Sequence, residues 1–226
     1  RAHWVRSGLT FGAIGLAMFL FSFVISIVTT LDAAVSSAAK NRIIVQSAVS
    51  LYVNLPLEYR GKIAQVPGVQ QVSHFQWFGG YYQDEANFFA QFAVDHEVFL
   101  DMYAADLRLI EGPDGITGPG TRDAVVAAMN ADRRATVVGA GLMREFGWQV
   151  GDTVPIVPKI FPKDDGSAWE MTLVGVYEPK KSNVDDRQMF FRWDYLYETM
   201  IAQSLGIDGV GTFSVNVEPG VDPRSE

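Results

Sequence analysis

The stretch Gly8–Leu31, GLTFGAIGLAMFLFSFVISIVTTL, runs for 24 consecutive residues without a charge. At about 1.5 Å per helical residue it crosses a hydrocarbon layer of about 30 Å with some tilt to spare. A cleaved leader has an apolar centre of about 7–15 residues, so this run is too long for one, although the small residues of AAVSSAAK after it leave a cleavage site open. A buried core helix would carry polar positions at some interval, and only Ser and Thr interrupt the apolar residues here. The run therefore reads as a transmembrane helix with lipid around residues 8–31. Arg1 and Arg6 precede it and Trp4 suits an interfacial anchor. The positive-inside rule then puts the N-terminus in the cytoplasm and the chain after about residue 33 outside.

The outer part is acidic. From residue 41 onward 15 Lys and Arg face 25 Asp and Glu, a net charge of −10. Nucleic acid and an anionic membrane surface would both be repelled. No cysteine occurs in the chain, so the domain folds without disulfides, in keeping with a bacterial periplasm or cell surface. The chain opens on Arg and closes in GVDPRSE without a second apolar run, which reads as a piece of something longer.

Periodicity and turn chemistry divide the rest. RIIVQSAV (42–49) has strand character, and PLEYRGKIAQV (56–66) a helical pattern with Pro56 in its first turn and Pro67-Gly68 as its stop. VQQVSHFQW (69–77) and NFFAQFAVD (87–95) read as strands of a hairpin joined by a long glycine-containing loop. HEVFLDMYAA is a short helix, EGPDGITGPG an irregular connection, and TRDAVVAAMNAD a helix with Thr121 at its N-cap. ATVVG is a strand, AGLMREFGW a helix closed by Gly147, and TVPIVP and WEMTLVGVYE are strands. RQMFFRW leads as a strand into a helix over DYLYETMIAQSLG, with Gly206 past its end. VGTFSVNVEP alternates a polar face with an apolar one, as in a sheet packed on one side only. The predicted fold class is α+β: an N-terminal transmembrane helix over 1–40, then a split βαββαβ, ferredoxin-like domain. That domain takes residues 41–104 and 185–226, interrupted by a β-rich insertion over 105–184.

Phe75–Asp95, FQWFGGYYQDEANFFAQFAVD, is densely aromatic. Phe88, Ala90, Phe92 and Val94 alternate along one strand, with Phe75 and Trp77 on the partner, and their spacing predicts a core face. Phe78, Tyr81 and Tyr82 fall in or beside the turn, where an exposed aromatic tip suits contact with a partner.

No catalytic apparatus is legible. His3, His74 and His96 lie too far apart for a metal site, and His96 between Asp95 and Glu97 reads as a solvated helix start. The acidic doublets Asp84-Glu85, Asp164-Asp165 and Asp185-Asp186 fall in predicted loops, where turn duty outweighs a convergent carboxylate pair. GAGLMREFG (139–147) lacks phosphate-loop spacing, and a strand-to-helix turn explains its glycines. Catalytic, cofactor-binding and metal-binding residues are therefore all expected to be none.

Four stretches carry a family resemblance: LPLEYRGKIAQVPGVQQVS (55–73), VVGAGLMREFGWQVGDTVPI (137–156), WEMTLVGVYE (169–178) and MFFRWDYLYETM (189–200). Behind an N-terminal span with basic residues, they resemble the first helix and periplasmic core domain of MacB-like and FtsX-like ABC transporter permeases. The resemblance implies a porter-type domain with a sabre-type insertion, held in the bacterial inner membrane. It also implies a second permease copy, a cytoplasmic ABC ATPase carrying ATP and Mg, and a periplasmic adaptor or substrate. Mechanotransmission would be its function, for export, lipoprotein trafficking or signalling. The other reading is a membrane-anchored periplasmic sensor or adaptor with no ATPase.

Overall fold

A computed structural model describes residues 2–37, 42–49, 53–182, 184–203 and 209–218. The chain forms two compact units, Arg1–Lys40 and Asn41–Glu226. The first is a single helix, α1 (Ala2–Ser37). Its segment Phe11–Thr29 is long and apolar enough to span a membrane, and every side chain there is exposed. Thr29 Oγ1 donates to the Ile25 carbonyl at 2.9 Å, so this hydroxyl is satisfied within the helix, as an apolar surrounding demands.

The second unit is built on one mixed ten-stranded sheet. Its strands are β1 (Arg42–Gln46), β2 (Val69–Trp77), β3 (Gly80–Tyr82), β4 (Ala90–Val94), β5 (Leu107–Glu111), β6 (Ala135–Gly139), β7 (Thr153–Pro158), β8 (Trp169–Pro179), β9 (Gln188–Arg192) and β10 (Thr212–Val217). They lie in the order β1-β10-β2-β4-β9-β6-β8-β7-β3, with β5 also on β8. Strands from 41–104 and 185–226 occupy one half and those from 105–184 the other, except that β3 crosses to pair with β7. Strand β9 is the seam, parallel to β4 and antiparallel to β6. The helices are α2 (Tyr59–Ala64), α3 (His96–Met102), α4 (Thr121–Ala131), α5 (Ala140–Phe146) and α6 (Trp193–Ala202). Element types thus follow the α+β expectation, with an apolar helix ahead of a mixed sheet.

Neighbouring residues on the central strands alternate between two cores, as the pleat requires. Met189, Phe191, Val138 and Ala93 join Leu142, Leu196 and Met200 in one cluster. Phe190, Val137 and Val94 join Phe99, Leu100, Val125 and Met129 in the other. Helices α5 and α6 therefore cover one face, and α3 and α4 the opposite one. This corrects the expectation of a one-sided sheet. Ser214, on the polar side of β10, is fully buried because Tyr103 at the end of α3 reaches it, with its hydroxyl 3.2 Å from Ser214 Oγ.

Several boundaries also change. Strand β5 was not expected; the Leu107–Glu111 stretch is held by pairing with β8 about 70 residues later in the chain. Thr121 is the first residue of α4, and Gly120 precedes it at φ +99°. Its hydroxyl donates backward to the Gly118 carbonyl at 2.8 Å, bracing the turn and leaving the helix amides uncapped. Pro56 lies ahead of α2, not inside it. Gly206 lies outside the described residues.

The glycines of GAGLMREFG have a packing reason. A Cβ on Gly139 or Gly141 would run into Asp186, whose carbonyl accepts the Gly141 amide at 3.0 Å. The turn from β6 into α5 therefore passes tightly beneath the strand-β9 approach. Gly147, at φ +69°, ends α5 in the left-handed conformation that favours glycine.

Candidate functional site

The aromatic hairpin is the first candidate. Strands β2 and β4 pair through Phe75–Val94, Gln76–Ala93 and Trp77–Phe92. Beyond Trp77 the chain turns at Gly79, whose φ is +67° and whose missing side chain leaves room for Ile160 and Trp77. Gln91, fully buried, satisfies the backbone just past this turn. Its Oε1 accepts the Gly80 amide at 2.8 Å and its Nε2 donates to the Gly80 carbonyl at 3.0 Å. A buried amide paired at both ends fixes where β3 begins.

The structure corrects the placement of Phe78. The ring is 0% exposed, with Phe161, Trp169 and Phe191 ring centroids at 6.0, 5.4 and 5.3 Å. The turn is no free tip, because β3 docks on β7 and carries the chain back into the sheet. Tyr82 is half-buried against Phe146 and Trp148. Tyr81 is also half-buried, with the Lys159 ammonium 5.4 Å from its ring centre.

Two residues assigned to the core are open instead: Trp77 is 38% exposed and Phe88 48%. Phe75, on the same face, packs against Phe99 and Tyr103 of the α3 region. Trp77 lies beyond that cover, against the rings of Phe88 and Phe92 at 5.9 and 5.2 Å. With the exposed Ile160, Trp77 and Phe92 border a groove of about 550 Å³ that also reaches Gln76 and Thr212. Four aromatic rings and few polar groups suit apolar contact, not acid–base chemistry. No local pattern distinguishes Trp77 from Phe75; the difference lies in how far α3 extends.

The second candidate lies where the chain enters the sheet. Arg42, the first residue of β1, stands opposite Asn216 of β10. Its Nη1 reaches Asp106 Oδ2 at 2.6 Å, its Nη2 donates to the Met102 carbonyl at 2.7 Å, and its Nε lies 3.4 Å from Asn216 Oδ1. The guanidinium carbon sits 3.8 Å from the Tyr103 ring centre. Lys181 takes the other Asp106 oxygen at 2.6 Å. Burial pushes the Asp106 carboxyl upward, but hydrogen bonds and charges from Lys181 and Arg42 outweigh it and hold the group below its ordinary value. Burial raises the Tyr103 phenol, with the Ser214 hydrogen bond opposing. Sequence reading missed this cluster, because its members are separated by 64 and 75 positions.

Several acids and histidines singled out from the sequence make local structural contacts. Asp84, Asp165 and Asp185 each accept the backbone amide two residues ahead, at 2.8–2.9 Å, which is turn duty. His96 and Glu97 both hydrogen-bond to Asn130. His74 is buried with its ring edge-on to Trp193. Burial, opposed by the Asp95 charge and reinforced by Arg60, lowers it to about 4. Among the described residues no three His, Cys, Asp or Glu side chains gather as a metal site.

The sequence profile of the MacB-like periplasmic core domain matches residues 7–225, nearly the whole chain. The chain belongs to that family. The MacB-like core domain is similar to several solved structures. One is a domain of a protein described as a permease from Porphyromonas gingivalis, 21% identical at TM-score 0.50, over 82% of this chain and 78% of that one. Another is the periplasmic region of MacB from Actinobacillus actinomycetemcomitans, 10% identical at TM-score 0.51, with the same coverages of 82% and 78%. The extracellular domain of the ABC-type transporter YknZ from Gram-positive bacteria aligns at 16% identity and TM-score 0.48, over 80% and 83%. At their identities the first two likenesses speak to the fold alone. No curated protein sequence matches the chain.

Proposed function

We propose that this MacB-like core domain is the non-catalytic, outer part of an ABC-type permease. In this reading α1 crosses the inner membrane and residues 41–226 stand in the periplasm. A separate cytoplasmic ATPase binds ATP and Mg, and its cycle moves the outer domain of a permease dimer. The output is export, lipoprotein trafficking or signalling through an adaptor. The observation that carries the reading is the family match, which takes in the apolar helix and the α+β domain as one continuous unit. The pairing of Arg42 with Asn216 supports it, because the domain is entered and left on neighbouring strands. A domain attached by two adjacent strands can be displaced as a body. Residues 105–184 act as the sabre-type insertion on the porter-type remainder.

The test uses the full-length parent protein, extracted in mild detergent with the ABC ATPase encoded beside it. Co-purification, with MgATP hydrolysis that depends on this chain, is the expected result. A protein that purifies alone and supports no hydrolysis overturns the permease reading in favour of an anchored sensor or adaptor.

A further inference from the structure

We propose that Arg42, Asp106 and Lys181 form a mechanical staple, which keeps β1 from being stripped off the sheet and passes displacement of the N-terminal helix inward. The inference rests on the permease reading, because it assigns the path by which a pull on α1 reaches the outer domain.

Only four residues separate Ser37, the last of α1, from Arg42. Among the described residues strand β1 lies at the edge of the sheet and pairs with β10 alone. The pair is antiparallel, and its first rung is Arg42 opposite Asn216. A pull on residue 41 against the outgoing end of β10 therefore loads the rungs one at a time, starting at Arg42. Backbone hydrogen bonds that yield singly are a weak anchorage for a domain meant to follow its helix.

The Arg42 side chain strengthens that one point. Two of its hydrogen bonds and its ring contact go outside the β1–β10 ladder, to Met102 at the end of α3 and to Tyr103 and Asp106 in the turn to β5. The Asp106 side chain is buried, at 7% exposure, and that of Arg42 is partly buried, at 13%. Freeing Arg42 would leave Asp106 without half of its compensation, which is costly for a buried charge. The Asp106 carbonyl accepts the Lys180 amide at 2.7 Å, and Lys180 Nζ donates to the Ala104 carbonyl at 2.7 Å. The α3–β5 turn and the segment after β8 therefore move together, and that segment leads into β9, the seam between the two halves of the sheet. By contrast Arg108–Glu178, on the adjacent rung of β5 and β8, is an exposed pair and supplies a control.

Hydrogen exchange of the full-length protein, assembled with its ATPase, tests this in the nucleotide-free state and after trapping with MgATP and vanadate. In the native protein trapping is expected to change exchange over residues 102–107 and 179–187. Arg42→Met should raise exchange over residues 43–46 by about tenfold or more and abolish the trapping response, while β6 keeps its protection as the control for folding. Asp106→Asn, which keeps a similar shape, should likewise abolish the response, and Arg108→Met should leave it intact. If Arg42→Met loses protection throughout, Asp106→Asn decides. A trapping response that survives in Asp106→Asn overturns the staple and leaves the permease reading standing. If the assembled native protein shows no response anywhere in residues 41–226, the coupling itself is overturned, and the staple with it.

Discussion

Gln91 holds Gly80 by both of its backbone polar groups, at the turn where the aromatic hairpin re-enters the sheet. It starts β3 directly after the Gly79 turn and docks that strand on β7, so that Phe78 faces the core. Replacing Gln91 with Leu leaves the Gly80 amide and carbonyl unpaired, at a cost of about 1–3 kcal/mol for each group that stays buried. Amide exchange over Gly80–Tyr82 should rise well before global unfolding. Unchanged protection there would show that β3 is held by its pairing with β7 alone.

Phe78 and its neighbours should separate cleanly in unfolding experiments. Phe78→Ser removes a ring packed on three others and buries a hydroxyl, so a loss of about 3–5 kcal/mol is expected. Trp77→Ser and Phe88→Ser take away partly exposed rings, and each should cost about 1 kcal/mol or less. Urea titration of the detergent-solubilised chain ranks the three. Equal losses would place Trp77 and Phe88 in the core after all.

Glycine substitutions should have opposite signs at two sites. Gly139→Ala drives a methyl group into the Asp186 backbone and should destabilise by about 2 kcal/mol or more, the size expected of overpacking. Gly61, inside α2, has open space where a methyl group would sit, with nothing within 4 Å. Gly61→Ala should stabilise by about 0.5–1 kcal/mol through the unfolded chain. Thermal melts of both variants check the pair.

His74 makes stability depend on pH in a stated direction. Its folded pKa of about 4 lies below the ordinary 6.5, so the folded protein prefers the neutral ring. The unfolded chain takes up this proton first as pH falls, and stability is present above about 6.5 and declines as pH drops toward 4. The charges facing the ring are Asp95, which favours protonation, and Arg60, which opposes it. Over that interval the loss should come to about 3 kcal/mol. His74→Leu should flatten the decline between pH 6.5 and 5, above the main carboxylate range. Equal slopes for both proteins would mean the ring is solvated.

Local chemistry made much of this molecule legible. The strand reading of VQQVSHFQW gives β2 with its observed ends, and ATVVG followed by a glycine-closed helix gives β6 and α5. The 24-residue uncharged run fixes α1 as a helix able to span a membrane. Each of these signals lies within a dozen or two dozen consecutive residues, where side-chain period, turn residues and hydropathy act on their own neighbours. What the tertiary structure decided depends on partners far along the chain. β5 exists because β8 pairs with it, Ser214 is buried because Tyr103 arrives over it, and Trp77 is open because the cover given by α3 and Tyr103 reaches only as far as Phe75. Arg42 becomes a tethered cation only when folding brings Asp106 and Lys181 to it. Composition and spacing bear on what a segment prefers, whereas burial and ion pairing belong to the surfaces that close over it, and those are set by the packing of the whole sheet.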